Sequence, residues 1–274
     1  MCGIIGITCK HNSSSVLVYE GLTHLQHRGQ DSAGICTENQ VIKDHGLVKD
    51  IFHEEDISTL TSSVSLGHVR YSTNASFNKD NIQPIWKNDI FLVHNGNIVN
   101  EDEIKKITNT ENCSDSSYIL DLFNQKLMEY KEINYENIFQ TVGYMMQILK
   151  GSYCVIILIK DFGMICFRDI FGIRPMIYGK KGKDYVVCSE SSVIELLDYQ
   201  IVRDVKPGEV IVFEKDKMPR FHLYKDCKLF PCLFEFIYFA RIDSIIDNIS
   251  IYDARFKMGF LLGEKIKKNI YDID

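Results

Sequence analysis

Met1-Cys2-Gly3-Ile4-Ile5-Gly6 opens the chain, and its second residue decides how the rest is read. Initiator methionine is commonly removed when the following residue is small. Cys2 would then carry a thiol nucleophile and a free α-amine on one residue. Reference pKa values are about 8.5 for a thiol and about 7.7–8.0 for an α-amine. Near neutral pH such an amine can take and return the thiol proton, directly or through one water. The competing reading is an apolar residue entering a first strand, and the segments downstream decide between the two.

Four more short segments follow in order: Leu25-Gln26-His27-Arg28-Gly29-Gln30-Asp31-Ser32-Ala33-Gly34, Gly67-His68-Val69-Arg70-Tyr71-Ser72-Thr73, His94-Asn95-Gly96-Asn97 and Ser114-Asp115-Ser116. Each has a plain structural explanation when taken alone. Asn95-Gly96 suits a type I′ hairpin turn, whose two central residues need positive φ. Arg28 and Arg70 could be surface arginines, and His27, His68 and His94 satisfied core or turn histidines. Asp115 could serve as the N-cap of a following helix.

Short apolar segments of strand character recur at 3–8, 64–71, 90–94, 153–159, 164–168, 185–189 and 209–213, many of them rich in Val and Ile. Gly179-Lys180-Lys181-Gly182-Lys183-Asp184 reads as a hairpin tip. Helical spacing places Ile119, Leu122, Phe123 and Leu127 on one face, and Ile138, Val142, Met145, Met146 and Leu149 on another. A third helix starts at the Ser13–Ser15 cluster and buries Val18, Leu22 and Leu25. Strands in consecutive hairpin-like sets, with helices grouped between them, predict a layered α+β domain with antiparallel sheets.

From about residue 230 the texture changes. An aromatic run, Leu233-Phe234-Glu235-Phe236-Ile237-Tyr238-Phe239-Ala240-Arg241, precedes a helical segment at 251–270, and the chain ends at Asp274. The division predicted is one domain over 1–229 and the unfinished start of a second over 230–274. Apolar residues between 233 and 239 are expected to be poorly covered.

The chain has 274 residues, 45% of them hydrophobic and 25% charged, with a net charge of −6. Nucleic acid is excluded as the main partner, because phosphate binding needs a concentrated basic surface. Lys265, Lys267 and Lys268, the densest basic cluster, fit the solvated face of a terminal helix. The nine cysteines are dispersed with no Cys-x-x-Cys pair, which suits a reducing cytosol. No apolar run is long enough to span a bilayer and no signal peptide is evident, so the expectation is a cytoplasmic protein without a membrane partner.

Taken together, the ordered segments resemble a class II glutamine amidotransferase domain of the N-terminal-nucleophile type, and among those the amidophosphoribosyltransferase family. The finer choice rests on Gln26-His27-Arg28-Gly29-Gln30-Asp31-Ser32-Ala33-Gly34, His68-Val69-Arg70-Tyr71-Ser72-Thr73 and His94-Asn95-Gly96-Asn97. Gly172-Ile173-Arg174-Pro175, Ser189-Glu190-Ser191, Arg203-Asp204-Val205-Lys206-Pro207-Gly208-Glu209 and Tyr238-Phe239-Ala240-Arg241 add to it. The resemblance implies a four-layer αββα domain followed by the truncated start of a phosphoribosyltransferase domain. It implies that Cys2 attacks the amide of glutamine, forming a thioester that is hydrolysed to glutamate. Asn95 and Gly96 would form the oxyanion hole. Arg70 would pair with the substrate α-carboxylate, Asp115 would hold its α-ammonium, Thr73 would add a hydrogen bond, and Arg28 would order the loop over the site. Ammonia would pass to phosphoribosyl pyrophosphate, giving 5-phosphoribosylamine, a step of purine biosynthesis.

The family pattern is broken at Ala75 (usually glycine), Ser117 (usually glutamate) and Ile242 (usually proline). The acidic Asp-Asp pair that binds phosphoribosyl pyrophosphate in the family occurs nowhere in this sequence. The expectation is therefore an ammonia-producing half, with no metal or cofactor of its own. Magnesium and phosphoribosyl pyrophosphate would belong to the missing half. Some family members carry an iron–sulfur cluster and a propeptide before the nucleophile. With Cys2 second in the sequence, no Fe-S cluster is expected. Homo-oligomerisation, or association with a separate C-terminal half, is expected. Two alternatives remain open from sequence: the glutaminase part of a hexosamine-forming aminotransferase, and a truncated product acting as a non-catalytic binding module.

Overall fold

In the computed structural model, residues 2–71, 79–111, 114–215 and 217–269 are described. Thr73 and Ala75 lie outside the described residues, as does Met1.

Two antiparallel sheets form the body. The first contains β1 (Gly3–Thr8), β2 (Ser32–Cys36), β3 (Val41–His45), β4 (Val64–Arg70), β9 (Ile177–Lys181), β10 (Asp184–Cys188) and β11 (Gln200–Asp204), in the order β11-β9-β10-β1-β4-β2-β3. The second contains β5 (Ile85–Lys87), β6 (Ile90–Ile98), β7 (Gly151–Ile159), β8 (Gly163–Arg168), β12 (Glu209–Glu214) and β13 (Arg220–Leu223), in the order β13-β12-β8-β7-β6-β5. The helices are α1 (Ser14–His24), α2 (Val48–Ile51), α3 (Glu54–Thr59), α4 (Glu101–Thr108), α5 (Asp115–Leu127), α6 (Tyr135–Ile148), α7 (Ser191–Leu196) and α8 (Ile251–Asn269).

Side chains alternate across a strand, so each strand feeds two cores. Ile5 and Ile7 of β1 and Val69 of β4 pack with Val18 and Leu22 of α1 and with Val193 and Ile194 of α7. Their neighbours Ile4 and Leu66 face the second sheet, meeting Val93, Cys154, Ile156 and Cys166. On that sheet's other side, Leu92, Val155 and Ile157 pack against Ile119, Leu122 and Phe123 of α5 and Val142 and Met145 of α6. The layers therefore run α–β–β–α, as the resemblance implies. Burial on both faces is why the central strands read as unbroken apolar runs such as 154–159.

Several elements differ from the sequence expectation. Strand β6 continues to Ile98, and Asn95 and Gly96 pair with Cys154 and Tyr153 of β7. A long partner strand thus overrides the local hairpin signal. Ser114 caps α5, its side chain accepting from the Ser117 N–H, and Asp115 is the first helical residue. The edge strands β11 and β13 carry no apolar run because their residues are largely exposed or half-buried.

Beyond residue 229 the chain forms a π-helical turn (Glu235–Phe239), a small hairpin of β14 (Ile245–Ile246) and β15 (Ile249–Ser250), and α8. Asp247 and Asn248, both at positive φ, make the hairpin's two-residue turn. Phe236, Ala240, Ile246 and Ile251 form a small cluster of their own. This segment is bolted to the larger body by buried polar contacts. Arg168 pairs with Asp247 at 2.9 Å, and Ser244 Oγ donates to Glu190 at 2.9 Å. Leu233, Phe234, Ile237 and Tyr238 are exposed, as expected, whereas Glu235 and Phe236 are buried. No helix among the described residues is long and apolar enough to cross a membrane.

Candidate functional site

Cys2 sits where the two sheets meet. Strand β1 pairs with β4 so that Gly3 lies opposite Val69, which brings Cys2 alongside Arg70 at the end of β4. On the second sheet, Asn95 shares the inward parity of Phe91 and Val93 and so points towards Cys2. The Cys2 nitrogen donates to Asn95 Oδ1 at 3.1 Å. Asn95 is fully buried, and its Nδ2 has no hydrogen-bond partner among the described residues. A buried, unsatisfied donor costs free energy unless something completes it, so it marks a place prepared for an acceptor.

Gly96 needs its missing side chain for a reason the sequence does not reveal. A Cβ there would lie 2.0 Å from the Ser152 carbonyl oxygen of β7 and 2.7 Å from His94 Nε2. Gly29 is constrained in the same way. Its Cβ would come within 2.4 Å of the Arg70 backbone, which passes directly over it.

Arg70 is half-buried, and its side chain makes no hydrogen bond among the described residues. Its charge reaches Cys2 and His68. Asp115 lies beyond the end of β6, accepting from the Ile98 N–H at 3.3 Å and the Ser116 N–H at 2.7 Å. These contacts leave carboxylate surface available beside Cys2. Behind it, Ser116 Oγ joins Gln83 Nε2 at 2.9 Å and His94 Nδ1 at 3.1 Å, a buried network not anticipated from sequence. A cleft of about 580 Å³ lined by Lys43, Trp86, Lys87, Ser117 and Asp121 borders the start of α5, and Cys2 is not part of its lining.

Arg28, which the resemblance assigns to ordering a loop over the site, sits next to Cys2. Its side chain is fully buried behind Cys2. Nε donates to the Cys2 carbonyl at 3.0 Å, Nη1 to Glu190, and Nη1 and Nη2 to the two oxygens of Glu235 at 3.0 and 2.6 Å. The Phe239 ring lies 4.6 Å from the guanidinium carbon. In this arrangement Arg28 touches the Cys2 backbone, and four of its five N–H donors are taken by protein oxygens. Sequence patterning could not flag Glu235, because it sits within an aromatic run far along the chain.

The electrostatics follow from burial. Burial pushes the Cys2 thiol up, opposed by a Tyr71 backbone hydrogen bond, the positive charge of the chain's amino terminus and Arg70. A thiol held in its neutral form needs a base at its side. Burial also lowers His68 to about 3, with the nearby Arg70 charge acting in the same direction. Neither His68 ring nitrogen meets a hydrogen-bond partner among the described residues. Burial lowers His94 too, with Asp115 opposing the shift. Burial alone would raise the Glu190 carboxyl, but Arg28 and His27 together hold it well below the usual carboxylate range. Among the described residues, no three His, Cys, Asp or Glu side chains converge as a metal site.

Comparison with known proteins agrees with this geometry. Residues 68–195 match a family profile described as a glutamine amidotransferase domain. The amidophosphoribosyltransferase of Pseudomonas aeruginosa is 38% identical over 294 residues, covering all of this chain and 58% of that protein. The one from Escherichia coli is also 38% identical, with the same coverage. That of Schizosaccharomyces pombe is 34% identical, covering 98% of this chain and 57% of the relative. Among solved structures, a glutamine phosphoribosylpyrophosphate amidotransferase from B. subtilis complexed with ADP and GMP superposes with a TM-score of 0.83 at 30% identity. It covers 96% of this chain and 58% of the other. The chain thus spans 57–60% of the length of the curated relatives it matches. Related to them from end to end of its own sequence, this chain belongs to the amidophosphoribosyltransferase family and carries its glutamine amidotransferase domain.

Proposed function

We propose that this chain hydrolyses glutamine, with Cys2 as the nucleophile, and supplies the ammonia to a phosphoribosyl pyrophosphate acceptor in the whole protein. The single observation that carries the reading is the Cys2–Asn95 pair. One end of the Asn95 amide accepts from the Cys2 nitrogen, and the other end is a buried donor with nothing to bind.

With Met1 removed, the nitrogen held by Asn95 Oδ1 becomes the α-amine. It takes the thiol proton as sulfur attacks the glutamine side-chain carbonyl carbon. The oxyanion that forms is met by Asn95 Nδ2 and the Gly96 N–H. Collapse breaks the carbon–nitrogen bond, and the amine delivers its proton to the departing ammonia. Water then cleaves the thioester, giving glutamate and restoring the thiol. Arg70 receives the α-carboxylate through a planar fork, Asp115 receives the α-ammonium, and Thr73 is proposed to add a hydrogen bond. Removing one oxyanion donor typically costs about 2.7–4 kcal/mol of transition-state stabilisation.

Transfer of ammonia to phosphoribosyl pyrophosphate, with magnesium on the pyrophosphate, is proposed for the remainder of the protein and not for these residues. The eight described cysteines form no disulfide with one another, which supports a cytosolic setting. Exposed Tyr252, Phe256, Phe260, Leu261 and Leu262 on α8 support association through that helix.

The test is glutamate release from glutamine by wild type and by Cys2→Ala, with intact-mass analysis of the active sample. Activity lost in Cys2→Ala with the fold retained, and Met1 absent from active protein, is the expected result. Full activity with Met1 retained would remove the amine from the mechanism.

A further inference from the structure

A nucleophile that carries its own base on the same residue must be held by its backbone, through an N–H and the carbonyl oxygen, because its thiol and the lone pair of its amine both have to stay free to react. In this structure Cys2 is held at two points. Its nitrogen rests on Asn95 Oδ1, and its carbonyl oxygen accepts from Arg28 Nε at 3.0 Å. The second hold is only as good as the orientation of the Arg28 guanidinium. That group is fully buried, where an unrestrained or unpaired cation is costly.

Two carboxylates surround it. Glu190 is heavily committed. One oxygen takes Arg28 Nη1 and His27 Nε2, the latter at 2.8 Å, and the other takes the Arg241 N–H and Ser244 Oγ, both at 2.9 Å. Glu235 alone meets the guanidinium fork-on, with one oxygen on Nη1 and the other on Nη2. A bidentate pair fixes the plane of the guanidinium, and that plane decides where Nε points. Glu235 is itself fixed by the turn that carries it. Its N–H donates to the Cys232 carbonyl at 3.1 Å and its carbonyl accepts from Ala240 at 3.1 Å. Arg255 of α8 donates to the Phe236 and Ala240 carbonyls at 2.9 and 2.7 Å, clamping the same turn.

From this geometry we infer that Glu235, in the segment expected to begin a second domain, is a positioning residue for the Cys2 nucleophile, acting through Arg28. The inference rests on the reading of Cys2 as the nucleophile. It also means that the reactive centre is completed by residues beyond position 229.

Glu235→Gln keeps the side-chain shape but turns an N–H₂ group towards one of the Arg28 nitrogens and breaks the fork. The expected result is a fall in glutaminase kcat of at least about tenfold, with KM for glutamine within about twofold. A changed rate of Cys2 alkylation by iodoacetamide, by more than about threefold at pH 7.5, is expected alongside. Asp247→Asn is the comparison, since it loosens the same segment at its pair with Arg168 without touching Cys2 or Arg28. Its kcat and alkylation rate should stay within about twofold of wild type in the folded fraction. Because Glu235→Gln could simply destabilise the fold, the double variant Arg28→Met/Glu235→Leu, which removes both sides of that fork and leaves Glu190 to His27, Arg241 and Ser244, should show the same loss of kcat. Wild-type kcat in a folded double variant, or equal effects of Glu235→Gln and Asp247→Asn, would overturn the inference. Alkylation does not depend on turnover. If wild type releases no glutamate, the proposed function fails, and the alkylation comparison still decides whether Glu235 positions Cys2.

Discussion

His68 makes the fold sensitive to mild acid, and the size of the effect follows from its surroundings. It lies fully buried in β4, beside Arg70, with no hydrogen-bond partner for either ring nitrogen among the described residues. Burial and the neighbouring positive charges lower it from 6.5 to about 3. In the unfolded chain the imidazole takes up a proton as pH falls through 6.5, whereas in the folded protein it does so only near 3. Between those values the unfolded state binds more protons, so stability drops as pH drops. From pH 7.5 to pH 5 the imbalance amounts to about 2 kcal/mol. For a chain of this size that is a fall in Tm of roughly 4–8 °C. Thermal and urea unfolding of wild type, His68→Leu and His68→Asn should be measured across pH 5–7.5. The variants should lose this part of the pH dependence while keeping that contributed by the remaining histidines. Parallel pH curves for all three proteins would refute the reasoning.

Arg70→Lys should raise KM for glutamine, because an ammonium cannot reproduce the bidentate fork. Asn95→Ala should instead lower kcat by roughly 100–1000-fold, since its donor acts in the transition state. Steady-state kinetics separate the two, and identical defects would contradict the division of roles. Gly29→Ala places a methyl 2.4 Å from the Arg70 backbone. It should cost about 1–3 kcal/mol in urea unfolding and raise KM as Arg70 shifts. Asp247→Ala leaves the Arg168 cation buried with carbonyl partners alone. It should destabilise by about 3–5 kcal/mol, read by calorimetry.

The elements legible in the sequence were those whose burial pattern is uniform. The run at 154–159 reads as a strand because both of its faces are buried, and 138–146 reads as a helix because one face is. Strand β2 was hidden because Ser32, Ala33 and Gly34 are small residues chosen for close packing rather than for strand propensity. The Cβ of Gly34 would lie 2.2 Å from the Gln83 carbonyl. Strands β11 and β13 were hidden because edge positions carry polar side chains. The Asn95-Gly96 dipeptide has a real local preference for a turn, but pairing through Ile98 with Gly151 outweighs it.

By itself, the sequence determined the layered α+β class and, through its resemblance to a family, which residues to propose as nucleophile and glutamine contacts, because short ordered motifs and local spacing carry both. Tertiary structure alone decided how Cys2 is held. Asn95 reaches it from the opposite sheet, 93 residues away. Arg28 is buried because Glu235 closes on it from 207 residues along the chain. A buried ion pair has no periodicity and no spacing rule. It exists only where the packed chain brings two charges together away from water.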